Sequence, residues 1–268
     1  MFKKQAKTPL SKLLNFSGKN VLITGAAAGM GRATAERFAE AGSSLILIDI
    51  DTKRLNEVRS SLPECDSSTY IIDLADKASI DNFWENLSTN DLPDILINNA
   101  GIFPSQVFTK IDQAYWQKIM DINLNSIVWM CQNFIKRRGK RGGVIVNISS
   151  IEAVLPFKDE MVHYAVSKAG ILALTRSLAR DYGRKGYKIN AIIPGGVSTP
   201  GTNELALKAL SKIELGLIKT SYDFNQRLPV GRVGQSDDIA KVVLFLSSEL
   251  SSYVQGVCLP VDGGFLSS

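Results

Sequence analysis

Asn20-Val21-Leu22-Ile23-Thr24-Gly25-Ala26-Ala27-Ala28-Gly29-Met30-Gly31 reads as a short buried strand, a loop of small residues and the start of a helix. The helical pattern runs to about Ala41, and Gly42 closes it. Small residues between a strand and a helix let backbone N–H groups approach a phosphate. The helix N-terminus adds partial positive charge at the same place. Three glycines alone describe many tight turns. The flanking strand and helix make them a candidate dinucleotide loop.

The next strand, Ser44-Leu45-Ile46-Leu47-Ile48, ends at Asp49, which lies 18 residues beyond Gly31 (49 − 31). That is near the spacing of the acidic residue that binds an adenosine ribose. A carboxylate there accepts hydrogen bonds from both ribose hydroxyls of NAD and repels the 2′-phosphate of NADP. No Arg or Lys stands in the loop before Met30 or directly after Asp49 to offset that repulsion, so NAD is favoured over NADP. Asp51 is the rival carboxylate, but its place suits the start of the following turn. Lys53 and Arg54 read as the exposed first turn of a helix from Thr52 to about Ser61.

Strand and helix keep alternating outward from there. Tyr70-Ile71-Ile72 is a third strand ending in Asp73-Leu74, followed by a helix from Ala78 to Leu87. Asp94-Ile95-Leu96-Ile97 is a fourth, ending in Asn98-Asn99-Ala100-Gly101. One long helical stretch is expected from Ile111 to about Arg137. Val144-Ile145-Val146-Asn147-Ile148 runs into Ser149 and Ser150, and a helix then carries Tyr164 and continues to about Tyr182. The sixth strand, Lys188 to Ile193, ends in Pro194-Gly195-Gly196-Val197-Ser198-Thr199. Pro200 to Leu228 is irregular, with a helical segment from about Asn203 to Leu217, and reads as a lid or substrate loop. A helix from Asp237 to Leu246, capped by Ser236, precedes a final strand, Gly256 to Val261, that ends in Asp262-Gly263-Gly264. The pattern is that of an α/β protein with a parallel sheet. Ligands of such sheets bind beyond the strand C-terminal ends, where Asp49, Asp73, Asn99 and Ser150 fall.

Tyr164 and Lys168 are four residues apart, one above the other on a helix face. Such pairs also arise by chance on many helices. Beside a dinucleotide site they become a candidate acid/base, because a nearby ammonium favours the phenolate. His163 points about 100° away from Tyr164 on the helix and reads as structural or loop-facing.

With 268 residues, 45% hydrophobic and 21% charged, the chain suits a soluble globular protein of one large domain. No apolar run is long enough to span a membrane. Three scattered cysteines, Cys65, Cys131 and Cys258, and one histidine argue against a disulfide scaffold and a zinc site, so no metal is expected and a cytoplasmic location is. Lys3, Lys4, Lys7, Lys12 and Lys19, with no acid among residues 1–19, account for the whole net charge of +5. The remainder, residues 20–268, is formally neutral, so the basicity belongs to the N-terminal end, most of it in an extension at residues 1–17 that precedes the folded body at 18–268. Neither a secretory signal nor a transit peptide is expected there. The run Lys136 to Arg141 reads as a solvated helix end stopped by Gly139, not as a nucleic-acid patch.

The motifs together resemble the short-chain dehydrogenase/reductase family, in its subgroup of about 250 residues. They are Thr24-Gly25-x-x-x-Gly29-x-Gly31, Asp73-Leu74, Asn98-Asn99-Ala100-Gly101, Asn147-Ile148-Ser149-Ser150, Tyr164-x-x-x-Lys168, Pro194-Gly195 and Asp262-Gly263-Gly264. The resemblance implies a single-domain Rossmann-type three-layer sandwich with a seven-stranded parallel sheet. It implies Tyr164 as acid/base, Lys168 as the residue that lowers the Tyr164 pKa and holds the nicotinamide ribose, Ser150 as the group on the substrate oxygen, and Asn123 as the support of a proton-relay water. It implies cofactor contacts at Gly25, Gly29, Met30, Gly31, Asp49, Asp73, Leu74, Asn99, Ala100, Gly101, Tyr164, Lys168, Pro194, Gly195, Val197 and Thr199. The implied activity is NAD-dependent hydride transfer with a secondary alcohol or ketone, in a homotetramer or homodimer. A 3-oxoacyl thioester reductase and a non-catalytic dinucleotide-binding protein are the alternatives. Departures are Ser126, where a glycine is common, and a Ser150-to-Tyr164 spacing of 14 (164 − 150), one longer than usual. Ser150, not Ser149, is taken as the catalytic serine.

Overall fold

The apolar runs become one parallel sheet in a computed structural model, which describes residues 8–202, 223–224 and 226–268. Its strands are β1 (Asn20–Thr24), β2 (Ser44–Asp49), β3 (Ser67–Ile71), β4 (Ile95–Asn98), β5 (Gly143–Ile148), β6 (Tyr187–Pro194) and β9 (Cys258–Val261). Two short strands, β7 (Val197–Ser198) and β8 (Gly234–Gln235), pair apart from it. The sheet order is β3-β2-β1-β4-β5-β6-β9, with every neighbouring pair parallel. The order reverses at β1, where the chain turns from the β2 side to the β4 side. The expected seven-stranded doubly wound sheet is therefore present.

Helices cover both faces. They are α1 (Leu10–Leu13), α2 (Gly29–Glu40), α3 (Thr52–Ser61), α4 (Lys77–Asn86), α5 (Gln113–Met120), α6 (Ser126–Arg138), α7 (Val162–Tyr182) and α8 (Ser236–Ser247) among the described residues. Strand side chains alternate between two cores. Val21, Ile23, Leu45 and Leu47 face α2 and α8, packing on Phe38 and Val243. Leu22, Ile46 and Leu96 face the other layer, with Trp84 and Phe134 from α4 and α6. Burial on both faces explains why the strands read as unbroken apolar runs.

Several element ends differ from the sequence expectation, each for a visible reason. β3 begins at Ser67, because an edge strand paired only with β2 tolerates Ser67-Ser68-Thr69 on its half-open surface. β9 begins at Cys258, since the Val257 N–H donates to the Asn190 side chain (3.0 Å). Gln235 caps α8, in a reciprocal capping box with Asp238, while the Ser236 hydroxyl donates to the Ser198 carbonyl. The long helix expected from Ile111 to Arg137 is broken by a π turn, Asp121–Asn125, between α5 and α6. Such turns insert one extra residue and often sit at functional sites; this one carries Asn123.

The basic run is not simply a solvated helix end. Gly139 does stop α6, with φ +54°. However, Arg137 donates to the Trp84 and Leu87 carbonyls. Arg138 is buried, donating to the Pro93 and Gly142 carbonyls and pairing with Asp94 at 3.0 Å. Of the N-terminal segment, Phe16 joins the core edge-on to Phe38 (5.0 Å), and Leu10 is exposed. The helix expected at Asn203–Leu217, and most of the segment 199–228, lie outside the described residues. No described helix is long and apolar enough to cross a membrane, and no described group of His, Cys, Asp and Glu could hold a metal.

A two-pronged ion pair ties α2 to α8: Arg37 Nε to Asp237 Oδ1 (2.6 Å) and Arg37 Nη2 to Asp237 Oδ2 (2.8 Å), with Lys241 at 2.8 Å. The bond to Arg37 holds the Asp237 carboxyl well below the usual carboxylate range. A lowered native pKa stabilises the fold above the unfolded value, near ~4, and that contribution fades as pH falls. Asp237→Asn is expected to lower Tm by about 1–3 °C at neutral pH. Melting curves of both proteins should converge as the pH drops below ~4.

Candidate functional site

An open cleft of about 340 Å³ lies at the carboxyl edge of the sheet, over the point where the strand order reverses. Its walls come from the loop after β1 (Gly25, Gly29, Met30), the ends of β2 and β3 (Asp49, Asp73, Leu74), the segment after β4 (Asn99 to Phe103) and Thr199 to Gly201. Ten of the expected cofactor residues line it: Gly25, Gly29, Met30, Asp49, Asp73, Leu74, Asn99, Ala100, Gly101 and Thr199.

The loop after β1 is held from below. Thr24 Oγ1 accepts the N–H groups of Asn99 (3.0 Å) and Ala100 (3.1 Å). Asn99 Nδ2 returns the link to the Thr24 and Gly25 carbonyls, both at 3.0 Å. Gly25 has φ +64°, and a Cβ there would stand 2.8 Å from Ala100 Cα. Gly31 is buried beneath the loop, where a Cβ would collide with the Gly25 carbonyl. Its part is close packing of helix against loop, not contact with the cleft. At the other end, Asp49 Oδ2 accepts the Ala27 N–H (2.9 Å) and Oδ1 accepts those of Ile50 (2.7 Å) and Asp51 (3.0 Å). The carboxylate is thus fixed at the cleft rim. Asp51 caps α3 and pairs with Arg54, as its place in the turn predicts.

Pro194, Gly195 and Val197 do not line the cleft. Pro194 pairs with Val261, a Cβ on Gly195 would stand 2.7 Å from Asp262 Cα, and Val197 is buried in β7. They shape the backbone that delivers Thr199.

The four residues expected to carry proton chemistry converge from β5, the π turn and α7. Ser150 is a buried residue that starts a 3₁₀ turn, Ile151–Ala153; its hydroxyl accepts the Glu152 N–H (3.2 Å) and lies near enough to the Tyr164 phenol to lower its pKa. The Ser149 hydroxyl donates instead to the Lys168 carbonyl (2.8 Å), a structural bond inside the fold. Lys168 is buried, with Nζ donating to the Ile148 carbonyl (3.0 Å) and lying 5.7 Å from the centre of the Tyr164 ring. Asn123 is fully buried, bonded through Oδ1 and Nδ2 to the N–H and C=O of Ile102, each at 2.8 Å. Gly101 keeps the space between them open: a Cβ on it would stand 3.2 Å from Lys168 Nζ and 3.3 Å from Asn123 Oδ1.

In the protein alone, burial is the largest influence on the Tyr164 phenol. Burial pushes the phenol up to about 12; the Ser150 hydrogen bond pulls it down, and the Glu152 carboxylate pushes it up. Burial also lowers Lys168, to about 8, which leaves it largely protonated at neutral pH.

Glu152 and Phe103 went unnoticed in the sequence. Glu152 is buried two residues beyond Ser150, and its carboxylate accepts the N–H groups of Phe157 (3.2 Å) and Lys158 (3.0 Å). The signal was a lone acid in an apolar segment, Ile151 to Phe157. Phe103 lines the cleft beside Tyr164. His163, as expected, is structural: fully buried, with Nε2 on the Pro104 carbonyl at 2.8 Å.

Comparison with known proteins follows this geometry. A family model described as enoyl-(acyl carrier protein) reductase matches residues 25–266. The chain is 32% identical over 257 residues to a 3-oxoacyl-(acyl-carrier-protein) reductase FabG of Thermotoga maritima, covering 94% of this chain and 100% of the relative. It is 34% identical over 263 residues to a 2-dehydro-3-deoxy-D-gluconate 5-dehydrogenase of Bacillus subtilis, covering 96% and 98%. Among solved structures, a putative 2-deoxy-D-gluconate 3-dehydrogenase from Agrobacterium tumefaciens with bound NADP superposes with a TM-score of 0.83 at 31% identity, covering 96% of this chain and 99% of that one.

Proposed function

The chain belongs to the short-chain dehydrogenase/reductase family, and from that premise we propose an NAD-dependent oxidoreductase that moves a hydride between the nicotinamide and a secondary alcohol or ketone. The observation that carries the reading is that Ser150, Tyr164, Lys168 and Asn123 cluster directly behind Gly101 and Phe103, which line one end of a cleft whose rim also holds a fixed Asp49; none of the four lines the cleft itself.

The residues present fit a dinucleotide. Gly25 and Gly29, both at positive φ, leave room for phosphates at the N-terminus of α2. Asp49 would accept the adenosine ribose hydroxyls, and Lys168 would reach the nicotinamide ribose past Gly101. The cofactor supplies the hydride chemistry. The chain's own work is proton transfer and orientation. Ser150 holds the substrate oxygen. Tyr164 takes the alcohol proton in oxidation and returns one in reduction. Asn123 and Lys168, which flank Gly101, would support the water that carries the proton between the phenol and bulk solvent.

Asp49 supports NAD(H) over NADP(H), although the Agrobacterium tumefaciens relative has NADP bound. The neighbouring Arg54 is paired with Asp51 at 3.5 Å. Initial rates with NADH are expected to exceed those with NADPH by about tenfold or more, and Asp49→Ser is expected to narrow the gap. Equal or higher rates with NADPH would overturn the preference. They would also favour the second reading, a 3-oxoacyl thioester reductase, which the Thermotoga maritima relative suggests. The proposal extends to a cytoplasmic homotetramer or homodimer, with Cys65, Cys131 and Cys258 as free thiols.

A further inference from the structure

Phe103 stands two residues beyond Gly101, at the end of the cleft where chemistry would occur. Its ring meets the Tyr164 ring edge-on, with centroids 6.3 Å apart and planes at 66°. On the other side, its Cζ lies 3.7 Å from where a Cβ on Gly201 would stand. One aromatic side chain therefore spans from the candidate acid/base to the start of the Thr199 segment. Ile102, Ile122 and Pro200 line the same end of the cleft.

The backbone that carries the ring is held on both sides. Ile102 is gripped at both backbone groups by Asn123. The Pro104 carbonyl accepts from His163 Nε2 (2.8 Å) and from the Tyr115 hydroxyl (3.2 Å). The Gln106 N–H donates to the Glu160 carbonyl (3.0 Å), and Glu160 adopts φ +62°. His163 is fully buried and its Nδ1 has no partner, which assigns the ring hydrogen to Nε2, facing Pro104. Helices α5 and α7 and the π turn thus clamp the backbone on both sides of Phe103.

We propose that Phe103 is a specificity-determining residue, and that the substrate presents an apolar substituent of its carbinol or carbonyl carbon to this ring. The inference rests on the oxidoreductase reading above and names the substrate class. A hydroxyl set against Phe103 and Ile102 loses water without gaining a partner, whereas a methylene gains contact. His163 is the positioning residue: its N–H fixes Pro104 and so the ring next to it.

The test compares NAD-linked oxidation of cyclohexanol and 2-hexanol with that of myo-inositol and gluconate. The wild-type protein is expected to favour the first pair in kcat/KM by about tenfold or more. Phe103→Ala is expected to reduce that preference by about tenfold, through KM of the apolar pair. His163→Leu should shift the preference the same way, and His163→Gln, which keeps an amide N–H for Pro104, should restore it. A wild-type preference for the hydroxylated pair overturns the inference. So does a Phe103→Ala ratio within about twofold of wild type. Turnover of other alcohols but none of these four overturns it as well. Absence of turnover on every alcohol and ketone overturns the oxidoreductase reading, and this inference with it.

Discussion

Tyr164→Phe is expected to lower kcat by about 10²-fold or more while leaving NADH affinity nearly unchanged. The phenol is the titratable group beside Ser150, whereas the groups that would hold a dinucleotide lie along Asp49, the glycine loop and Asn99. Removing one oxygen leaves the ring, its contact with Phe103 and the position of Lys168 in place. The pH dependence should share this origin. With the phenol pushed up to about 12 in the protein alone, the base form needed for alcohol oxidation is scarce at neutral pH and grows as pH rises. Oxidation should therefore accelerate toward alkaline pH, and carbonyl reduction, which uses the protonated phenol, should not. Rates across pH in both directions, together with NADH binding by fluorescence, check this. Near-wild-type turnover in the variant would remove Tyr164 from the mechanism.

Gly31→Ala is the second large effect. A Cβ at Gly31 would collide with the Gly25 carbonyl and stand 2.7 Å from Asn99 Nδ2. Both neighbours are fixed by the Thr24–Asn99 hydrogen bonds, so neither can give way cheaply. The strain should cost about 1–3 kcal/mol, equivalent to about 5- to 150-fold in dinucleotide affinity if it falls on the loop. Gly231→Ala is the control. Gly231 has φ +73° with open space around it, so that change should cost about 1–2 kcal/mol of stability and leave NADH binding alone. Equal affinity in Gly31→Ala and wild type would mean that the loop does not touch the cofactor.

The strand-end motifs made the sheet and its cleft legible because buried parallel strands have to be apolar and their C-terminal ends have to carry the ligand groups. Asp49, Asp73, Asn99 and Ser150 stood out for that reason. Asn123 was found by its motif, but the π turn that presents it was not, since periodicity at one-turn resolution cannot show a single inserted residue. β3 was read short because Ser67-Ser68-Thr69 carry no apolar signal at a sheet edge. Glu152 and Phe103 escaped because their roles depend on where two loops meet in space, which sequence spacing does not encode. The Tyr164–Lys168 pair was correctly placed on one helix face, yet spacing could not show that burial would dominate the pKa of both.

The central claim is that this site passes a hydride between nicotinamide and a carbinol carbon. Incubating the wild-type protein with NADH deuterated at the transferable position and a panel of ketones, and reading the products by mass spectrometry, tests it most directly. Deuterium on the carbinol carbon of at least one product, lost in Tyr164→Phe, is the expected result. Tight NADH binding with no deuterium in any product would contradict it, and would make the chain a dinucleotide-binding protein without this chemistry.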